Sequence, residues 1–315
     1  MIMALYVLRR AAIAIPTLIL VSIMVFGLLK FLPGDPALAL AGEERDPAVI
    51  EYLRHKYELD RPVHVQYLSW VGDILQGDFG RSIRTRLPIG RMIAEKLPVT
   101  ILLSLEAMIL ALAVGIPLGV IAAVKRGTPW DYGVSVLGLV GLSVPSFWLG
   151  IMLILLFAVT LGWLPSGGYV SFFEAPLDNL RYTAMPAAVL GTAAAAIIMR
   201  HTRSSVLNVL RQDYVRTARA KGLRSRVIVI RHVLRNALIP VVTMSTLQLG
   251  QLLSGAVLTE QVFGIPGFGK MIVDGVFSRD YAVVQAVVLC SAALFLLMNL
   301  VADIAYVLLS PRLRG

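Results

Sequence analysis

The chain has 315 residues, 57% hydrophobic and only 15% charged, with a net charge of +10. A soluble domain carries about 25% charged residues, so a water-soluble globule, a disordered chain and a coiled coil are excluded. The lone cysteine, Cys290, excludes an internal disulfide and a cysteine-rich metal site, and His55, His64, His201 and His232 show no ligand spacing.

Arg9-Arg10 precede an apolar run, Ala11–Leu32. Ala39-Leu40-Ala41 looks like a cleavage site, but a signal core is about 7–15 residues long and this run has 22, so a retained first span is expected. Leu32-Pro33-Gly34-Asp35-Pro36 breaks it. Residues 33–98 then hold nine Lys/Arg against ten Asp/Glu. They read as a charge-balanced helical insertion outside the bilayer. Asp46-Pro47 opens one helix, with Val49, Ile50, Leu53 and Tyr57 as its apolar stripe. A second helix runs from near Pro62 to Gly77.

Four further apolar segments follow: Val99–Val124, Tyr132–Leu161 (broken at Ser143-Val144-Pro145-Ser146), Ala237–Thr259 and Ala282–Leu309. Ala184–Met199, at 16 residues, is short for a span. It counts as one because otherwise the basic segment 200–236 would face away from the other basic ends. The expected fold is an all-α integral membrane protein of six transmembrane helices. Its parts are an N-terminal end with span 1 (1–32), the extracytoplasmic insertion (33–98), a five-span core (99–309) and a cytoplasmic C-terminus (310–315). The flanks 1–10, 125–131, 200–236 and 310–315 contain 16 Lys/Arg and two acids, Asp131 and Asp213. The positive-inside rule therefore accounts for the net charge without nucleic acid and places both termini in the cytoplasm.

Gly264-Ile265-Pro266-Gly267-Phe268-Gly269-Lys270-Met271 nearly spells a phosphate-binding loop, but Met271 cannot ligate magnesium and the stretch lies on the outer side. It reads as a Pro-Gly turn. Glu106, Glu260 and Asp303 are acids within or beside spans, and such groups are functional candidates. A structural role is expected for them, with Asp303 able to pair with an arginine. A self-contained proton-coupled carrier using Glu106 or Asp303 is the competing reading. In the fifth span, Gln248 and Gln251 lie three residues apart and share a helix face. With Ser245, and with Ser143 and Pro145 of the broken span, they are candidates for a translocation path; interhelical hydrogen bonding is the alternative.

Segment 200–236 carries ten basic residues. Val206, Leu207, Val209 and Leu210 form the apolar side of one helix. Asp213 is expected to cap a short second helix through Lys221, with Gly222 ending it and Arg219 and Lys221 favoured by the helix dipole. The small residues Thr217, Ala218 and Ala220 would let this helix seat closely in a groove. Ser225 is placed as the cap of a third helix that runs into the span at Asn236-Ala237-Leu238-Ile239-Pro240. A basic loop against lipid headgroups needs only charge, not such a capped helix.

Arg216-Thr217-Ala218-Arg219-Ala220-Lys221-Gly222 and Arg235-Asn236-Ala237-Leu238-Ile239-Pro240 resemble the cytoplasmic EAA loop of ABC-importer permeases, in the form found in the dipeptide/oligopeptide/nickel/glutathione permease family. Leu32-Pro33-Gly34-Asp35-Pro36, Gly77-Asp78-Phe79-Gly80, Val124-Lys125-Arg126-Gly127 and Glu260…Pro266-Gly267-Phe268-Gly269 are similar to that family as well. Arg216-Thr217-Ala218 stands where the general pattern has Glu-Ala-Ala, and loop 162–183 is shorter than in some dipeptide permeases. The resemblance implies a type I importer permease in a bacterial inner membrane. It also implies a second related permease subunit, two cytoplasmic ATPases that bind ATP and magnesium, and an extracytoplasmic solute-binding protein. This chain itself would have no catalytic residue, cofactor or metal. Its coupling residues would be Asp213, Tyr214, Arg216, Thr217, Ala218, Arg219, Ala220, Lys221 and Gly222.

Overall fold

The computed structural model describes residues 2–30, 46–56 and 60–309. The Leu32–Pro36 and Ala39–Ala41 motifs, the Leu53 side chain and Tyr57 of the expected stripe, and the C-terminal segment 310–315 fall outside what is described. Among the described residues there is no strand, and one isolated antiparallel bridge joins Arg81 to Pro88.

The chain opens with α1 (Ile2–Lys30), followed by α2 (Pro47–Lys56) and α3 (Val63–Leu75). Asp46 accepts a bond from the Ala48 N–H at 2.9 Å, so the expected cap of α2 is present. Gly77 ends the α3 region with φ +85°, as the expected stop. Phe26 of α1 meets Tyr67 and Trp70 of α3 at ring separations of 5.5 and 5.6 Å, and the Ser22 and Tyr67 hydroxyls are 2.7 Å apart. The second half of the insertion is thus packed onto the first span.

α4 (Ile89–Val124) starts ten residues before the expected span, because the polar turns around Glu95 and Lys96 continue the same helix beyond the apolar stretch. α5 (Pro129–Ser143) and α6 (Ser146–Leu153) are bent by 100° at Val144-Pro145. α6 runs on as a π-helical stretch, Ile154–Thr160. α7 (Pro176–Leu210) resolves the short segment: Ala184–Met199 is the middle of a 35-residue helix whose charged ends had hidden its length. α8 (Asp213–Ala220) follows. A turn (Ser225–Val227) and a π-helical stretch (Ile228–Val233) lead into α9 (Leu234–Gly255). α10 (Val257–Val262), α11 (Phe268–Phe277) and α12 (Tyr281–Leu309) complete the chain.

Among the described residues four helices are long and apolar enough to cross a membrane, α5 with α6 adds a fifth if the bent pair is one span, and Ala12–Gly27 of α1 is a shorter apolar helix. They coincide in order with the expected segments. α4 and α7 form the centre, and their contacts advance together along both sequences, so they run parallel. A Cβ on Gly191 would sit 2.9 Å from the Ala107 carbonyl, one on Gly115 2.8 Å from that of Ala195, and one on Gly119 2.6 Å from that of Met199. Gly115-x-x-x-Gly119 is a small-residue seam that lets the two backbones touch.

Candidate coupling surface and translocation face

One end of the bundle is built around α8. Gln212, not Asp213, occupies the cap position, and no side chain caps the helix; Asp213 is its first residue, 3.5 Å from Arg216. Ser225 is likewise a first helical residue, after Arg224. Gly222 stops α8 at φ +76° with open space around it.

The helix is sharply two-faced. Val215 and Ala218 are buried with Ala123 of α4, Val206 of α7, Ile228, Val233 and Ala237. Asp213, Tyr214, Arg216, Thr217, Arg219, Ala220, Lys221 and Gly222 are exposed. Ala218 therefore belongs to the face that anchors α8 to its own chain, which corrects its expected place on an outward docking face. Residues 215 and 218 follow the i, i+3 spacing, so a single stripe turns inward. The Asn236 amide donates to the Tyr214 hydroxyl at 2.9 Å, tying α8 to the start of α9.

Beside this anchor, Asp131 of α5 is 4% exposed and accepts two bonds from Arg203 of α7 and one from the Gly127 N–H at 3.0 Å. In the sequence Asp131 stands only as one acid in a basic flank; its place at the first turn of a span, close to a Lys-Arg-Gly turn, is the signal that marks it. At the same end Arg10 reaches Asp303 at 3.1 Å, as the sequence had left open.

The expected path residues separate into two groups. Ser143 and Pro145 line a cleft of about 520 Å³ in the elbow between α5 and α6, with Phe147 and Trp148. Ser245, Gln248 and Gln251 lie on α9, which packs on α7, α5's neighbour α4, and α12. Gln248 is buried, Gln251 is exposed, and the buried Ser245 hydroxyl donates to the Val241 carbonyl at 2.8 Å. The two glutamines are about 60° apart around the helix, and the edge of the buried face falls between them, so they do not present one shared polar surface.

The opposite end explains the loop-like glycines. Glu260 of α10 is fully buried and its carboxylate accepts from the Thr100 hydroxyl, the Lys270 N–H at 2.7 Å and the Gly269 N–H. The Thr100 hydroxyl in turn accepts from the Phe268 N–H at 2.8 Å. Glu260 thus caps the N-terminus of α11 from another helix. A Cβ at Gly267 would lie 2.2 Å from the Glu260 carboxyl carbon, so only glycine admits the carboxylate there. Burial pushes the Glu260 carboxyl above the usual range, against the pull of these hydrogen bonds. Nearby, Ser82 donates to the buried Asp280 ahead of α12.

Residues 115–315, which hold α5 to α12, match the family described as "Binding-protein-dependent transport system inner membrane component", and residues 3–104 match its N-terminal companion. The chain belongs to this family. Several transport-system permeases are similar over nearly their whole length. The oligopeptide transport system permease AppB of Bacillus subtilis is 42% identical over 315 residues, 99% of each chain. The di/tripeptide permease DppB of Pseudomonas aeruginosa and the glutathione permease GsiC of Salmonella typhi are both 44% identical, over 98% of each chain. Among solved structures, the inward-facing MetNI methionine ABC transporter shares the fold, with TM-score 0.58 and 20% identity over 70% of this chain and 96% of that one.

Proposed function

We propose that this chain is one permease subunit of an ATP-driven importer for peptides or a related small solute such as glutathione. Half of the translocation path is formed here and the other half by a second, related permease. Two cytoplasmic ATPases supply ATP hydrolysis and its magnesium, and an extracytoplasmic binding protein delivers the solute. The membrane is the bacterial inner membrane, with the α8 end cytoplasmic.

The observation that carries the reading is the two-faced α8. Its apolar stripe is fixed to α4, α7 and the lead-in to α9, while Arg216, Thr217, Arg219, Ala220 and Lys221 stand in the open. A short helix held in this way transmits displacement: pushed from its exposed side, it carries the ends of three core helices with it. Nucleotide-driven closure of two ATPases is such a push. The relatives named above, transporters of oligopeptides, di/tripeptides and glutathione, support the solute class. The experiment is uptake into vesicles holding the reconstituted complex. Uptake that requires ATP and the binding protein supports this reading; uptake driven by a proton gradient alone returns the chain to the carrier reading.

A further inference from the structure

α3 (Val63–Leu75) has an apolar side that the described residues leave bare. At about 100° per residue, Val63, Tyr67, Trp70 and Ile74 share one side of this helix. Leu68 and Leu75 fall roughly 120° around from that side in one direction. Gln66, Ser69 and Asp73 fall roughly 100° around in the other. Leu68 is 66% exposed and Leu75 82% exposed, and Ser69 and Asp73 are exposed as well. The helix therefore carries three strips: one against α1, one apolar and open, one polar and open.

The contact with α1 sets the depth of α3. Tyr67 reaches both Ser22 and Phe26, and Trp70 reaches Phe26. These contacts fall within one turn of each helix, as where two helices cross and not where they lie side by side. Phe26 is next to the end of the apolar stretch Ala12–Gly27 of α1. Ser22 lies about 7.5 Å inside that end. The Tyr67 hydroxyl, 2.7 Å from the Ser22 hydroxyl, is thus level with the last apolar turns of the span. Ile19 and Ile23, next around α1 from this contact, are half exposed. Apolar side chains left open on a membrane helix meet acyl chains, so lipid arrives at the depth of α3. Tyrosine and tryptophan are the residues that gather at this level.

The pairing of the open strips points the same way. In bulk water Leu68 and Leu75 would be hydrated at a cost, with nothing gained. At 13 residues α3 is too short to cross the bilayer. Lying in the boundary, it buries the leucines while Ser69 and Asp73 stay wet, which is the arrangement of an interfacial helix.

We infer that α3 lies in the membrane–water boundary at the C-terminal end of α1, with Leu68 and Leu75 among the acyl chains and Ser69 and Asp73 toward water. A segment that composition alone places outside the bilayer is then held to it by its own second helix. The inference needs only that the chain spans a membrane and is independent of the solute.

The test is nitroxide labelling of the complex in nanodiscs of phosphatidylcholine and phosphatidylglycerol, after Cys290→Ala removes the native thiol. Leu68→Cys and Leu75→Cys report the apolar strip, Ser69→Cys and Asp73→Cys the polar one, and Ile23→Cys is the lipid reference. All five positions are exposed, so the variants are expected to fold. Collision with oxygen, which concentrates in lipid, is compared with collision with a water-soluble nickel chelate. The oxygen-to-nickel ratio at 68 and 75 is expected to equal that at Ile23→Cys, and to invert at 69 and 73. Nickel-dominated collisions at 68 and 75 would overturn the inference by placing α3 in water. Low collision with both reagents there would overturn it by showing a protein partner over the strip.

Discussion

Arg203 of α7 grips Asp131 of α5 through both carboxylate oxygens, Nε to Oδ1 at 2.7 Å and Nη2 to Oδ2 at 2.9 Å. The guanidinium fork matches the carboxylate, and the Gly127 N–H fills a third position on it. The pair therefore locks the start of the bent α5–α6 element to the central helix next to α8. Arg203→Ala would strand a carboxylate that is almost wholly buried. Melting of the purified complex is expected to fall by the equivalent of about 1–3 kcal/mol, with Arg203→Lys intermediate because a lysine offers no fork. An unchanged melting temperature in Arg203→Ala would refute the lock.

The two faces of α8 predict two different failures. Ala218→Asp puts a charge into the Val206–Val215–Val233 cluster and is expected to reduce the amount of folded protein in the membrane. Arg216→Glu with Lys221→Glu changes only exposed residues. That variant is expected to reach the membrane at normal level yet lose most solute-stimulated ATP hydrolysis. Protein level and stimulated ATPase rate, measured side by side, separate the cases. Normal levels of Ala218→Asp with lost stimulation would mean that Ala218 faces outward after all.

Gly267 and Glu260 should be energetically coupled, because a methyl on the first collides with the carboxyl of the second. Gly267→Ala alone is expected to cost about 1–3 kcal/mol by overpacking, and Glu260→Ala alone a comparable amount by leaving the Thr100, Gly269 and Lys270 donors unanswered. In the double variant the methyl occupies the space the carboxyl vacates, so the combined loss is expected to be smaller than the sum. Strict additivity in thermal melts would disprove the contact.

Close approach of α4 and α7 rests on Gly115 and Gly119. Gly119→Val is expected to lower the yield of folded permease sharply, since the added carbons meet the Met199 carbonyl and the Thr202 side chain. Gly133→Val, on α5 with nothing within 4 Å of its Cβ position, is expected to fold normally and serves as the matched control. Equal yields from the two variants, quantified by fluorescence size-exclusion, would count against the seam.

Topology is open to labelling once the native thiol is removed with Cys290→Ala. Ser204→Cys is expected to react with a membrane-impermeant maleimide only from the cytoplasmic side, and Phe173→Cys, at a position 92% exposed, only from the outside. Reversed reactivity would invert the assignment of the α8 end.

Spans, their order and the bias of their flanks were legible in the chain itself, because membrane insertion depends on local apolar length and nearby charge. The break at Ser143–Ser146, the stop at Gly222 and the capped start at Asp46 were local for the same reason: a proline, a glycine or an aspartate acts on its own neighbouring backbone. The single-residue roles were not local. Ala218 turned inward, Gln248 and Gln251 parted, and Glu260 capped a helix ten residues downstream together with Thr100, 160 residues upstream. Each of those depends on which neighbour covers which side of a helix. No periodicity records that, since a membrane helix is apolar toward lipid and protein alike.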